Sequence, residues 1–191
     1  MFTVSSGFIG IFKTGDNINY NLNCLRELYE AQRASPAQNK HLFCKPITLI
    51  LVSIIEALLH DLFFRIVNYT NEGIKNIASE TLKKIRNKKI DQLETYVASA
   101  KKYNLLDAIG TGLYDHLDSL RKLRNRIHIQ NTKYYHPLDE SRAFTMAQQR
   151  IAEEVLERIL KLSSEKYQRP DHARGFINDF ELPWDERLSE E

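Results

Sequence analysis

Apolar residues recur along most of this chain at the three- and four-residue spacing of helices that bury one side. Leu22, Leu25, Leu28 and Tyr29 carry that spacing in the first helical segment, with Asp16 as its expected N-cap and an end near Arg33. Ser35-Pro36 stops it, because the residue before a proline is pushed out of the helical region. A second helix is expected from about Pro46 to Tyr69, with the proline in a first turn that has no use for its missing N–H. It is apolar around most of its circumference, which predicts a central position in the fold. Thr70-Asn71-Glu72-Gly73 ends it.

Residues 74–105 read as a helical hairpin with a break near Asn87 and a stripe of Leu82, Ile85, Ile90, Leu93, Tyr96 and Val97. Gly110-Thr111-Gly112 then precedes a helix from Leu113 to Gln130, followed by a tyrosine-containing loop from Asn131 to Pro137. Asp139 or Ser141 is expected to open a last long helix to about Ser163, with Phe144, Ala147, Ile151, Val155, Ile159 and Leu162 facing inward. The residues before Asp16, rich in Phe, Ile, Val and Thr around Gly7 and Gly10, fit a short strand or hairpin, or a segment packed across the bundle. After Pro170 the chain reads as a polar arm with one Trp. The pattern predicts an all-α protein: an antiparallel bundle of four to five helices, one domain over residues 1–191, with a core over 16–163 and a polar arm over 164–191.

Composition agrees with that picture and narrows it. Hydrophobic residues make up 42% and charged residues 27%, which excludes a disordered chain. At 191 residues the chain can bury a core without disulfides or metal. Cys24 and Cys44 have no CxxC spacing and read as small buried hydrophobes in a reducing compartment, with a bridge between them left open. The longest apolar run, Ile47 to Leu59, falls short of the ~20 residues a membrane span needs, and Glu56, His60 and Asp61 interrupt it. The N-terminus has no basic segment followed by an apolar core. These features predict a cytoplasmic protein with no membrane partner. Residues 179–191 carry a net −5, leaving +7 on the rest of a chain whose formal charge is +2. A modestly basic body suits a polyanionic partner and also occurs in proteins that have none.

Candidate chemistry concentrates on the helix from Leu113. At about 100° per residue, Leu113, Leu120 and Ile127 form its apolar stripe, while Arg121, Asn125 and His128 share a polar shoulder. Arg124 points into the edge of the stripe, where a guanidinium needs a partner. Glu56 and His60, four apart on the central helix, occupy one face, and Glu56 is the expected partner of Arg124. Arginines near a helix end also offset its dipole, so the same residues have a purely structural reading. Metal and nucleophile motifs are missing: His41, His60, His116, His128, His136 and His172 include no HExxH, and no GxSxG or Gly-rich phosphate loop occurs. No cofactor is called for.

The segment LRKLRNRIHI, Leu120 to Ile129, resembles the signature helix of the HEPN superfamily, all-α domains named for higher eukaryotes and prokaryotes nucleotide binding. Many of its members are metal-independent ribonucleases with an Arg-x4–6-His motif. Arg121 and His128 have six residues between them, the upper end of that range, whereas Arg124-Asn125 reproduces the frequent Arg-Asn dipeptide with three residues before His128. The polar residue after the motif Arg is Lys122 in one register and Asn125 in the other. Some HEPN families also carry a Glu-x3-Lys or similar pair on the equivalent central helix, which Glu56 and His60 resemble. The resemblance covers about residues 45–163.

It implies endoribonuclease chemistry in which His128 is acid or base, Arg121 and Arg124 bind the scissile phosphate, and Asn125 positions substrate or the imidazole. His128 has the side-chain type whose unperturbed pKa lies near neutrality. HEPN ribonucleases pair the motif helices of two protomers, so a homodimer with the 113–130 helices facing each other is expected, with RNA as substrate. The basic run Lys83 to Lys89 can track RNA backbone, and Tyr134, with Tyr135, can stack a base; a solvated face and packing are the structural alternatives. Two rival readings use the same fold: a non-catalytic module binding RNA, nucleotide or protein, and a structural dimerisation bundle tied by Arg124 and Glu56. An adjacent gene for a small antitoxin or a nucleotidyltransferase would identify a toxin–antitoxin or defence pair and the protein partner.

Overall fold

The computed structural model describes residues 1–69, 74, 76–107, 112–127, 139–173 and 176–186. Strand β1 (Phe2–Val4) is followed by α1 (Phe12–Ala34). A 3-10 segment (Ala37–Phe43) runs into α2 (Cys44–Asn68). Then come α3 (Ser79–Arg86), α4 (Leu93–Lys102), α5 (Leu113–Arg124) with a 3-10 turn (Asn125–Ile127), α6 (Glu140–Ala143), α7 (Met146–Lys166) and β2 (Phe180–Leu182). This is the expected all-α bundle, with seven helices among the described residues where four to five were expected; the short N-terminal strand is present and pairs antiparallel with β2, Phe2 with Leu182, Thr3 with Glu181 and Val4 with Phe180.

Helix α2 is the axis of the fold. It packs most extensively on α7 and also touches α1, α3, α4 and α5. Ile47, Leu51, Ile54, Ile55, Leu58 and Ile66 are buried on different sides of it, as its all-round apolarity predicts. The helical stretch Ala37–Asn68 is long and apolar enough to cross a membrane, but half of its most apolar window is buried inside the protein, as in the core helix of soluble proteins.

The entry to α1 differs from expectation. It begins at Phe12, ahead of Asp16, and its N-cap Ile11 has no capping side chain of its own. The cap comes from α2: the Asp61 carboxylate accepts from the amides of Gly10 (3.0 Å) and Ile11 (2.9 Å). An acid fifty residues away thus satisfies the orphan N–H groups that a local Ser or Asp would otherwise take. Asp61 is in turn 3.2 Å from Arg65 one turn on, and both side chains are 1% exposed.

Three further expectations are corrected. The last helix is broken: Phe144 is buried between α6 and α7, and the Thr145 side chain caps α7 by accepting from the Gln148 amide. That register leaves Ala147 exposed and turns Gln149 and Glu153 inward, where they join Tyr29 and Gln32 in a buried hydrogen-bonded chain. Ile127, expected in the apolar stripe of α5, is 52% exposed. The switch to 3-10 geometry at Asn125 adds about 20° per residue to the rotation, which carries Ile127 off the core side. The polar arm is not polar throughout: Phe180, Leu182 and Trp184 are buried. Trp184 packs on Tyr29 at 5.8 Å, and β2 lies along α1. The break at Asn87 is present between α3 and α4, and Cys24 and Cys44 are both free thiols, Cys44 fully buried.

Candidate functional site

Helix α5 owes its limits to glycine and to its own ladder. Gly112 at its N-cap has φ 90°, a left-handed conformation that favours glycine. Leu113, Leu117, Leu120 and Leu123 bury one side against the bundle. What that side leaves uncovered meets α4, which runs antiparallel to α5. Glu94 reaches Arg121 at one end of their contact, and Tyr114 donates to the Ala100 carbonyl (3.1 Å) at the other.

A cleft of about 440 Å³ opens where the N-terminus of α4, the C-terminus of α5 and the middle of α2 come together. Glu56 of α2 and Arg121, Arg124 and Asn125 of α5 all line it. These are four of the residues singled out in sequence, and they come from two separate helices. The expected tie is present: Arg124 Nη2 lies 3.1 Å from Glu56 Oε2, although with side chains 45% and 26% exposed it is a surface-edge pair and not a buried one. His60 departs from the group. One turn beyond Glu56, it is exposed, lines a smaller pocket between α1 and α2, and sets its ring near Phe64 (6.3 Å) and Tyr96 (6.1 Å). His128, Tyr134 and Tyr135 lie outside the described residues.

The order of burial expected for the two arginines is reversed. Arg121, placed on the polar shoulder, is the more enclosed, at 16% side-chain exposure against 45% for Arg124. The angular spacing along α5 registers the core stripe but not α4, which covers the Arg121 side. Asp118 holds Arg121 through Nη2 at 2.7 Å and Nε at 3.1 Å, and Glu94 approaches it at 3.5 Å. Lys122 also meets Asp118 at 2.7 Å. These hydrogen bonds from Lys122 and Arg121 keep the Asp118 carboxyl below the usual carboxylate range. Burial pushes the Tyr96 hydroxyl up, and the charge of nearby Glu56 adds to the effect.

Sequence reasoning missed the acidic half of the site. Asp91, Gln92 and Glu94 line the cleft from α4 and the turn before it. Asp118 was legible, standing three and four residues before Arg121 and Lys122, the spacing of helical ion pairs. Glu94 carried no local signal, because its partner comes from the next helix.

The arrangement offers two guanidiniums to one cleft, each oriented by a carboxylate. Such a pair suits a phosphate, whose oxygens match the planar donor forks. The carboxylates compete for the same donors, and the weakest is Glu94, 68% exposed and farthest from its partner. Among the described residues no group of three His, Cys, Asp or Glu side chains is placed to hold a metal ion. No protein-family model matches the chain, and neither a curated protein nor a solved structure matches it.

Proposed function

We propose that the protein is a HEPN-like endoribonuclease, acting on RNA without metal through an Arg/His site completed by a second copy of the chain. The observation that supports this most is the convergence of Glu56, Arg121, Arg124 and Asn125 on one cleft, since residues quoted for the family resemblance come from α2 and α5 and meet only in the tertiary structure. In this reading Arg121 and Arg124 hold the scissile phosphate and stabilise the extra negative charge of its pentacoordinate transition state. Asn125 positions the substrate. His128 takes the proton of the attacking 2′-hydroxyl or returns one to the leaving 5′-oxygen. One imidazole serves one of these transfers at a time, so the second protomer's motif helix supplies the other. Arg124 is aimed by Glu56, and Arg121 by Asp118. The proposed place of action is the cytoplasm, in keeping with the burial of α2.

The test is cleavage of single-stranded RNA in the presence of EDTA by the wild type and by His128→Ala. The variant is expected to lose at least about a hundredfold in rate, the lower end of what general acid–base catalysis contributes. Unchanged cleavage by a folded, dimeric variant would remove His128 from the mechanism.

A second reading is favoured by one specific observation: both cleft arginines already have carboxylate partners. A module that binds RNA, nucleotide or protein without cleaving it has the same geometry. RNA binding without cleavage, unaffected by His128→Ala, would select it. A protein partner of antitoxin or nucleotidyltransferase type belongs with either reading and would be encoded next to this chain.

A further inference from the structure

The α4–α5 hairpin has two ends, and only one holds the cleft. At the other, α4 closes with a Schellman turn: Asn104 sits at φ 54°, the Leu105 amide donates to the Ala100 carbonyl (3.0 Å), and the Asn104 amide to that of Lys101 (3.3 Å). Leu105 and Leu106 are buried and pin the turn to the core. The turn leaves Tyr103 half-buried at the C-cap, with Lys88 Nζ 5.3 Å and Lys102 Nζ 5.9 Å from its ring centre. Lys101 stands 6.0 Å from the Tyr114 ring, and Lys166 reaches the Leu105 carbonyl at 3.4 Å. These four lysines form no ion pair with a described residue, whereas Lys83, Lys89, Lys122 and Lys161 all do. The nearby acid Asp107 accepts from the Tyr114 hydroxyl at 2.8 Å.

One edge of this patch, Lys101 beside Tyr114, lies on the seam that leads to the cleft. Lys101 follows Glu94 by two helical turns, and Tyr114 precedes Arg121 by the same interval, so the seam between α4 and α5 leads from one to the other over about 10 Å. The charge along it differs in kind. At the cleft, cations are neutralised by carboxylates; at the turn Lys88 and Lys102 lie over the Tyr103 ring, with Lys101 over Tyr114 and Lys166 over Tyr167 beside them. Lysines that pair with no described acid, set beside aromatic rings, are the ingredients of single-strand recognition, in which bases stack on a ring and phosphates meet ammonium groups.

We propose that the α4 turn, Tyr103 with Lys88, Lys101, Lys102 and Lys166, is a docking platform for single-stranded RNA, and that a strand held there runs along the α4–α5 seam into the cleft. The proposal rests on RNA being the ligand of the cleft. It assigns affinity to the platform and leaves chemistry to the cleft.

The experiment is fluorescence anisotropy with a labelled, unstructured oligoribonucleotide of about 12 nucleotides, within the usual single-strand site size. The full chain is titrated between about 50 and about 200 mM salt. The variants are the double charge reversal Lys88→Glu/Lys102→Glu, Tyr103→Ala and Tyr103→Phe. Charge reversal is expected to weaken binding at least about tenfold and to flatten the slope of log affinity against log salt by roughly 1.4, two single-strand phosphate contacts. Both lysines are exposed, so the variant stays folded, with a melting midpoint lowered by a few degrees at most through loss of the ring contacts and the α4 dipole contribution. Tyr103→Ala should lose about tenfold, the lower range of one base stack, and Tyr103→Phe should retain wild-type affinity. If the charge reversal binds as tightly as wild type, with the same salt slope, the platform is wrong and the RNA reading of the cleft stands. If the wild type itself binds no RNA at low salt, both fall together.

Discussion

Glu56 reaches Arg124 across the α2–α5 contact at 3.1 Å, and Asp118 grips Arg121 from one turn away at 2.7 Å. Partly exposed pairs of this sort contribute about 0.2–1 kcal/mol to stability, so their value lies in orientation. Glu56→Gln should therefore lower the melting midpoint by no more than about 4 °C. It removes a competing carboxylate from the cleft, so on the proposed function RNA affinity should rise while cleavage falls, because Arg124 loses its aim. Undiminished cleavage, measured beside binding, would show that Glu56 only ties helices together. Asp118 adds a pH signature. Its folded pKa is depressed, so its contribution is fully present above the unfolded value of about 3.9 and is lost as pH falls through the lower folded value. The stability gap between wild type and Asp118→Asn should be constant from neutrality down to about pH 5 and close below pH 4. A gap that instead varies between pH 6 and 8 in thermal melts would contradict this assignment.

At the scale of elements, most helices were legible because apolar spacing is a local property. The α2 stripe, the end at Ser35, the break at Asn87 and the start of α5 at Leu113 all follow from residues within a turn or two. Misreadings arose where a distant group, or the burial of a residue in the core, decided the outcome. Asp61 starts α1 early, and Thr145 restarts the last helix behind the buried Phe144. The basic run is a similar case. Arg86 donates to the carbonyls of Ile66 (2.7 Å) and Tyr69 (2.5 Å) and so caps the end of α2, while Lys83 and Lys89 pair with Glu80 and Asp91. Only Lys88 of that run joins the proposed platform. Strand β2 and the turn after it are structural in the same way. Trp184, 6% exposed, packs on Tyr29 and donates to Glu157 at 3.4 Å. As the one Trp of the chain it should emit at short wavelength in the native state and shift red on unfolding. Trp184→Ala should cost about 3–5 kcal/mol, read as a lower denaturation midpoint by circular dichroism.

The whole molecule is closed by a polar knot around Asp61 and Arg65. Asp61 holds the start of α1, Arg65 donates to the Tyr167 carbonyl (2.9 Å) at the end of α7, and Arg169 donates to the Ile9 carbonyl (3.0 Å). Gly10 belongs to it as well, since a Cβ there would lie 2.6 Å from the Arg65 side chain. Asp61→Ala removes the cap and leaves a guanidinium buried without its counter-charge, for an expected loss of about 3–5 kcal/mol. Chemical denaturation would measure it, and a loss below 1 kcal/mol would mean that the knot is not shared between the two ends of the chain.

By itself the sequence determined the class of the fold, the central place of α2 and the helix on which a site was to be sought, because each depends on the repeat of apolar residues along a short stretch. It also named Glu56 as the partner of Arg124, since a cation at the edge of an apolar stripe needs an acid and α2 carries one at the matching depth. The tertiary structure alone decided the rest. It set His60 in a different pocket from Glu56, enclosed Arg121 beneath α4, and brought Asp91, Gln92 and Glu94 to the cleft. It also joined the first strand to the last. These are choices between partners far apart in the chain, made by packing geometry and by whether buried polar groups can be satisfied, and a local pattern of residues does not encode them.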